Sequence, residues 1–154
     1  MAQTETRPQE TTTPQAETFR LRTQLMKQGR SDSVLSQTEN LQIRIKCYAA
    51  GGENALHAHA AEDHSFVVLA GQARFWGPDG EIATLGRNEG IMIPRGAFYR
   101  FESCADEPLV LMRVGARLGK ADVPRMALDG HALPGDSLEN KTVPPIAMDG
   151  AFYE

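Results

Sequence analysis

Apolar residues occur along the chain in short runs with an extended, β-like composition: Leu41–Ala49, Ala55–His59, Ser65–Ala70, Gln72–Trp76, Ile82–Leu85, Gly90–Ile93, Ala97–Glu102 and Pro108–Val114. Polar turn residues separate them. Gly77-Pro-Asp-Gly80 predicts a tight hairpin between Phe75-Trp76 and Ile82, and Glu102–Pro108 is a second polar break. About eight short strands with regular turn signals, and no convincing helix longer than two turns, predict an all-β barrel or sandwich. Phe19–Lys27 has a spacing that fits a helix or a strand equally, and it stays unassigned.

After Val114 the pattern changes. Pro124, Gly130, Pro134, Gly135, Pro144, Pro145 and Gly150 punctuate a segment without sustained periodicity. Its apolar residues Val143, Ile146, Met148 and Phe152 must lie over the barrel or a neighbouring subunit to be ordered. At the other end, Met1–Thr18 is rich in Thr, Gln, Glu and Pro, a composition that cannot bury enough apolar surface to fold. The expected organisation is a disordered lead-in over 1–18, a barrel over 19–118 and an irregular tail over 119–154.

Composition narrows the function classes. A chain of 154 residues forms one domain with a single substantial core. The net charge is −4, with basic and acidic residues mixed along the sequence, so no phosphate-tracking surface is expected and nucleic acid is a poor partner. The longest apolar runs, Phe66–Ala70 and Leu109–Met112, fall far short of the ~20 residues of a membrane span. No secretory signal pattern is present in the first residues, which makes a soluble, cytoplasmic protein the expectation. Cys47 and Cys104 show no zinc-type spacing, and two cysteines in a chain of this size do not make a disulfide scaffold. They read as buried thiols packing as small hydrophobes, with a cavity-lining Cys47 as the alternative.

The candidate chemistry lies in Gly51-Gly-Glu-Asn-Ala-Leu-His57-Ala-His59-Ala-Ala-Glu-Asp-His64, closed by Gly71. His57 and His59 are two apart, so on an extended segment both rings point to one face. A turn through Ala60–Asp63 returns His64 beside them. Three imidazoles on one ion leave positions open for water or substrate, the pattern of a catalytic rather than a closed structural metal site.

That stretch resembles the first motif of the cupin superfamily: Gly, five residues, His, one residue, His, three or four residues, Glu, six residues, Gly. Gly51, His57, His59 and Gly71 match it, and His64 stands where the family has Glu. The second cupin motif is matched in part, by Pro94-Arg-Gly96, while Asn88, Tyr99 and Ser103 occupy the places of its Gly, His and Asn. The resemblance covers about Leu41–Ala116. It implies a double-stranded β-helix, a jelly-roll barrel, with His57, His59 and His64 as metal ligands, and it implies a homodimer.

Three neutral ligands leave a divalent ion its full charge, so the site is expected to prefer a small anionic molecule such as an enolate, hydroxy acid or thiolate. The expected cofactor is a divalent transition metal, iron first, with zinc, manganese, nickel or copper as alternatives; magnesium and calcium prefer oxygen ligands. Tyr99 has three readings: a phenolate ligand, a phenol that donates to substrate or metal-bound water, or a packing residue. The second ranks first and makes Tyr99 the candidate catalytic acid. Glu62 and Asp63 read first as solvated turn charges, one of them alternatively accepting a ring proton from a ligating His. Arg44, Lys46 and Arg113 sit in strands whose alternation can aim a cation inward. Arg113 in that orientation would bind the substrate anion; solvent or an ion-pair partner is its other destination. His131 reads as a surface residue. The resemblance makes a non-haem dioxygenase the first functional expectation, followed by a lyase, isomerase or cyclase using the metal as a Lewis acid, and by a non-catalytic small-molecule-binding cupin.

Overall fold

The computed structural model describes residues 13–119, 123–133 and 143–154, with side chains throughout except at 52–54. Most of the expected lead-in, residues 1–12, lies outside the described residues; 13–18 carry no regular structure.

The described residues form β1 (Thr23–Gln28), β2 (Arg30–Gln37), β3 (Leu41–Tyr48), β4 (Gly52–Ala58), β5 (Glu62–Ala70), β6 (Ala73–Gly77), β7 (Gly80–Leu85), β8 (Gly90–Ile93), β9 (Tyr99–Ser103), β10 (Leu109–Arg117), β11 (Arg125–Ala127), β12 (Ala132–Leu133) and β13 (Ile146–Tyr153). One sheet has the order β2-β3-β10-β5-β8 and a second the order β12-β11-β4-β9-β6-β7, with β1-β13 as a separate ribbon. The two large sheets share one core, in which Tyr48, Phe66, Val68, Leu109 and Leu111 of the first meet Ala73, Phe75, Tyr99 and Phe101 of the second. This is the all-β jelly roll, the double-stranded β-helix that the motif implied. The hairpin at Pro78-Asp79 is present, with Gly77 facing Gly80.

The five-stranded sheet is buried on both faces at its centre, which explains why its strands read as dense apolar runs. On β3, Tyr48 points into the barrel, while Ile45 and Cys47 point outward into a second cluster with Leu69, Val110 and Met26. Met26 belongs to β1, so the β1-β13 ribbon covers the outer face. Phe19–Lys27 therefore contributes to a strand, and the tail expected to be irregular supplies strands too. β13 pairs with β1, and β11 pairs with β4. Short strands held by long-range pairing leave no local periodicity to read, which is why the sequence pattern missed them. Cys47 lies on the outer face, away from the histidines, and burial raises its thiol pKa.

Along the barrel axis, strand alternation sorts the interior. The inward series Glu62, His64, Phe66, Val68 on β5 and Leu109, Leu111, Arg113, Gly115 on β10 each run between a polar and an apolar end. Antiparallel pairing sets Gly115 beside His64 and Arg113 beside Phe66, so the polar ends coincide.

Gly71, the closing residue of the first motif, has φ +72°, and a Cβ there would lie 2.7 Å from the Pro108 carbonyl oxygen. Gly96 has φ +82° but open space around it. Gly71→Ala is expected to cost about 2–4 kcal/mol, strain and a backbone clash together, and Gly96→Ala about 1 kcal/mol from strain alone. Equal urea midpoints for the two variants would refute this assignment.

Candidate metal centre

His57 sits on β4, opposite Tyr99 of β9, just after the irregularity in the pairing of those strands. His59 follows the end of β4, and Glu62 and His64 begin β5. The three histidine rings converge: His57 and His59 have centroids 5.2 Å apart, and His59 and His64 4.1 Å apart. The loop that brings them together is pinned by the Pro94-Arg-Gly96 turn, whose Gly96 N–H donates to the His59 carbonyl at 2.9 Å. Asp63 reinforces this by accepting from the Arg95 N–H at 2.7 Å. At the head of the same motif Asn88 adopts φ +68°, a left-handed conformation that Asn tolerates better than most residues, so it can stand where the motif has Gly.

His59, Glu62 and His64 each offer one donor atom, and these atoms lie within 4.8 Å of one another. His57 is fully buried beside them, and its Nδ1 contacts the Ala55 carbonyl at 2.9 Å. A carbonyl only accepts, so the proton is on Nδ1 and the lone pair on Nε2. At His64, Arg113 donates to Nε2, which places the proton on Nδ1, where it faces the Tyr99 hydroxyl oxygen at 3.2 Å. Tyr99 is 2 % exposed, so this contact sits inside the barrel and orients the ring. Arg113 also donates to Glu62 Oε1 at 2.7 Å. Gly115 makes the space for this pair, since a Cβ there would fall on the Glu62 carboxylate.

The protonation states suit metal ligation, which requires neutral imidazole and ionised carboxylate. Burial, with added repulsion from His64, His57 and Arg113, holds His59 at about 3. Burial also lowers His64 despite its contact with Glu62. Burial alone would raise Glu62, but its contact with His64 and the Arg113 charge outweigh it and bring it to about 2. Two imidazoles and a carboxylate with these states fit a divalent transition metal.

Beside this cluster is a cavity of about 230 Å³ lined by Asp32, Arg44, Lys46, His59, His64, Tyr99, Arg113 and Arg125. Four cations face it against one carboxylate. Asp32 binds Arg44 at 2.6 Å and Lys46 at 3.5 Å, and burial, which would raise its pKa, is outweighed by the Lys46 and Arg44 charges, which lower it. Lys46 is only 7 % exposed, so its charge is directed into the cavity rather than into bulk water.

The sequence reading placed His57, His59, His64 and Tyr99 together, and the structure does so. Arg44, Lys46 and Arg113 take the inward orientation. Glu62 differs from its expected role as a solvated turn charge: β5 begins three residues earlier than the apolar run, so Glu62 shares the inward parity of His64 and Phe66 and is half-buried. That i, i+2 series was the available signal. Asp32 and Arg125 were missed because β2 and β11 carry no clear strand pattern. His131 is on the surface, paired with Asp129 at 3.0 Å.

A cupin domain family model matches residues 44–115. Over 74 residues the chain is 43 % identical to mannose-1-phosphate guanylyltransferase of Escherichia coli, a match spanning 47 % of this chain and 15 % of that enzyme. Among solved structures, a protein with a double-stranded β-helix domain from Klebsiella pneumoniae superposes with a TM-score of 0.53 at 19 % identity, covering 60 % of this chain and 81 % of that one. The cupin domain of Schizosaccharomyces pombe Cnp3 does so at 0.53 and 18 % identity, covering 58 % and 61 %. No helix among the described residues is long and apolar enough to cross a membrane.

The site also sets the acid response of the metal-free protein. His59 titrates lower when folded than its ordinary 6.5, so the unfolded chain binds a proton first and stability falls as pH drops from about 6.5 toward 3. Glu62, lowered from 4.5 to about 2, adds a loss of the same sign below about pH 4.5. Urea midpoints at pH 7, 5 and 4 should therefore decline, and His59→Gln should show a smaller decline between pH 6.5 and 4.5, keeping only the share of His64, which burial also lowers. An identical decline in that variant would contradict the assignment to His59.

Proposed function

This chain belongs to the cupin superfamily, and from that premise we propose that it is a metal-dependent enzyme acting on a small anionic, hydroxylated substrate. The carrying observation is a metal-competent His59, Glu62 and His64 set beside one cavity, whose wall His59 and His64 share with four cations. In this reading His57 joins the three as a ligand. The carboxylate that the motif seemed to have lost to His64 is restored by Glu62, so a bound divalent ion carries a net single positive charge rather than two.

The metal would supply a Lewis-acid contact that polarises a substrate oxygen. Arg44, Lys46 and Arg125 provide a fixed positive field for the substrate's phosphate or carboxylate, and Asp32 holds the first two in place. Tyr99 fixes the His64 ring and stands close enough to the cavity to pass a proton through its hydroxyl. The polar, cationic lining and the likeness to part of an enzyme named for mannose 1-phosphate support a sugar phosphate or related hydroxy acid as the ligand class. Isomerase, lyase or epimerase chemistry without oxygen fits that class. A non-haem iron dioxygenase is the second reading, in which His59, Glu62 and His64 alone would hold the ion as a two-His, one-carboxylate set and His57 would stay outside it.

Protein purified without chelator or nickel resin is expected to hold near-stoichiometric transition metal by elemental analysis, and His59→Ala to hold almost none with an unchanged fold. Equal metal in both would refute the site. Turnover of phosphorylated sugars or hydroxy acids that persists without oxygen supports the Lewis-acid reading, whereas stoichiometric oxygen uptake replaces it with the dioxygenase.

Tyr99→Phe should retain the metal and reduce turnover about 10²-fold or more if the hydroxyl moves a proton. Loss of the metal would instead make Tyr99 a ligand or an indispensable support of His64.

A further inference from the structure

Arg113 occupies the ligand atoms themselves. Its guanidinium donates to Glu62 Oε1 at 2.7 Å and to Nε2 of His64, and Glu62 and His64 are two of the three groups that can hold an ion. A neutral imidazole nitrogen has one lone pair. Nε2 of His64 can accept from Arg113 or bind a metal, but not both. The other ring nitrogen faces Tyr99, so His64 has no alternative donor on the Glu62 side. Arg113 is also a wall residue of the cationic cavity, on a side chain that is 11 % exposed. Released from its two partners, it remains in a low-exposure space beside Arg44, Lys46 and Arg125, where four cations face the single carboxylate of Asp32 and an anion would offset the excess.

We infer that Arg113 is an internal cation that competes with the metal, and that metal binding releases it to bind the anionic group of the substrate. The inference rests on the metal-site reading above and adds a regulation to it. Metal without anion leaves a guanidinium stranded near a second positive centre. Anion without metal finds Arg113 already engaged by Glu62. Each ligand therefore improves the other's binding, and by linkage the two enhancements are equal. The arrangement has a functional use: the ion is held firmly only when a substrate-like anion is in place.

The probes are zinc and sulfate, measured by titration calorimetry on the full chain in sulfate and in chloride at matched ionic strength. Wild type should bind zinc about ten-fold tighter in sulfate than in chloride, and the zinc-loaded protein should bind sulfate tighter by the same factor. Arg113→Met should bind zinc tighter than wild type in chloride, because the competitor is gone, and should lose most of the sulfate effect. Arg44→Met removes a charge from the same cavity without touching a ligand atom, and should tighten zinc binding less than Arg113→Met. Thermal melts establish that each variant is folded; if Arg113→Met is not, Arg113→Gln serves in its place.

Equal zinc affinity in wild type and Arg113→Met, an undiminished sulfate effect in that variant, or equal tightening by Arg44→Met would each overturn the competition while leaving the metal site standing. Zinc bound by Arg113→Met and not by wild type would support it in its strongest form. Zinc bound by neither would overturn both the competition and the metal-site reading.

Discussion

The contact among Glu62, Arg113 and His64 is the interaction on which the rest of the site depends. A carboxylate 15 % exposed, a guanidinium 11 % exposed and an imidazole 1 % exposed are held at one end of an aromatic barrel. None could remain there alone, because an unpartnered buried charge costs several kcal/mol. Together they keep Glu62 ionised and His64 neutral, and those are the states that a transition metal requires.

The fold supplies this cluster through strand parity. On β5 and β10 every second residue points inward, and antiparallel pairing aligns their polar ends, so Glu62, His64 and Arg113 arrive at one level of the barrel. Gly115, buried at the same level, leaves the space in which the ion pair fits. Phe66, Phe75 and Phe101 close the barrel beneath. The β1-β13 ribbon buries the outer face of the central strands, so these strands are packed on both sides.

Much of this was legible in the sequence, for identifiable reasons. His57, His59 and His64 could be placed together because their spacing combines i, i+2 alternation with a short return. Tyr99 was placed with them because it stands where the second motif has its His. Glu62 was misread because the apolar run begins only at Ser65, and a strand that starts three residues earlier turns a loop carboxylate into an inward one. Asp32 and Arg125 were invisible for a different reason: β2 and β11 are strands only because β3 and β4 offer them partners, and their own sequences do not alternate. The tail strand β13 owes its order to β1 in the same way. Local pattern therefore revealed the barrel and its histidines, while the charged wall of the cavity came from pairings that no local pattern encodes.

The account is tested most directly by a crystal structure of the metal-loaded protein, with diffraction recorded at the absorption edge of the bound ion. It predicts one anomalous peak within bonding distance of His59, Glu62 and His64, with the Arg113 guanidinium withdrawn from both of its present partners. A peak confined to a surface position such as His131 and Asp129, or Arg113 still bound to Glu62 and His64 under saturating metal, would contradict it.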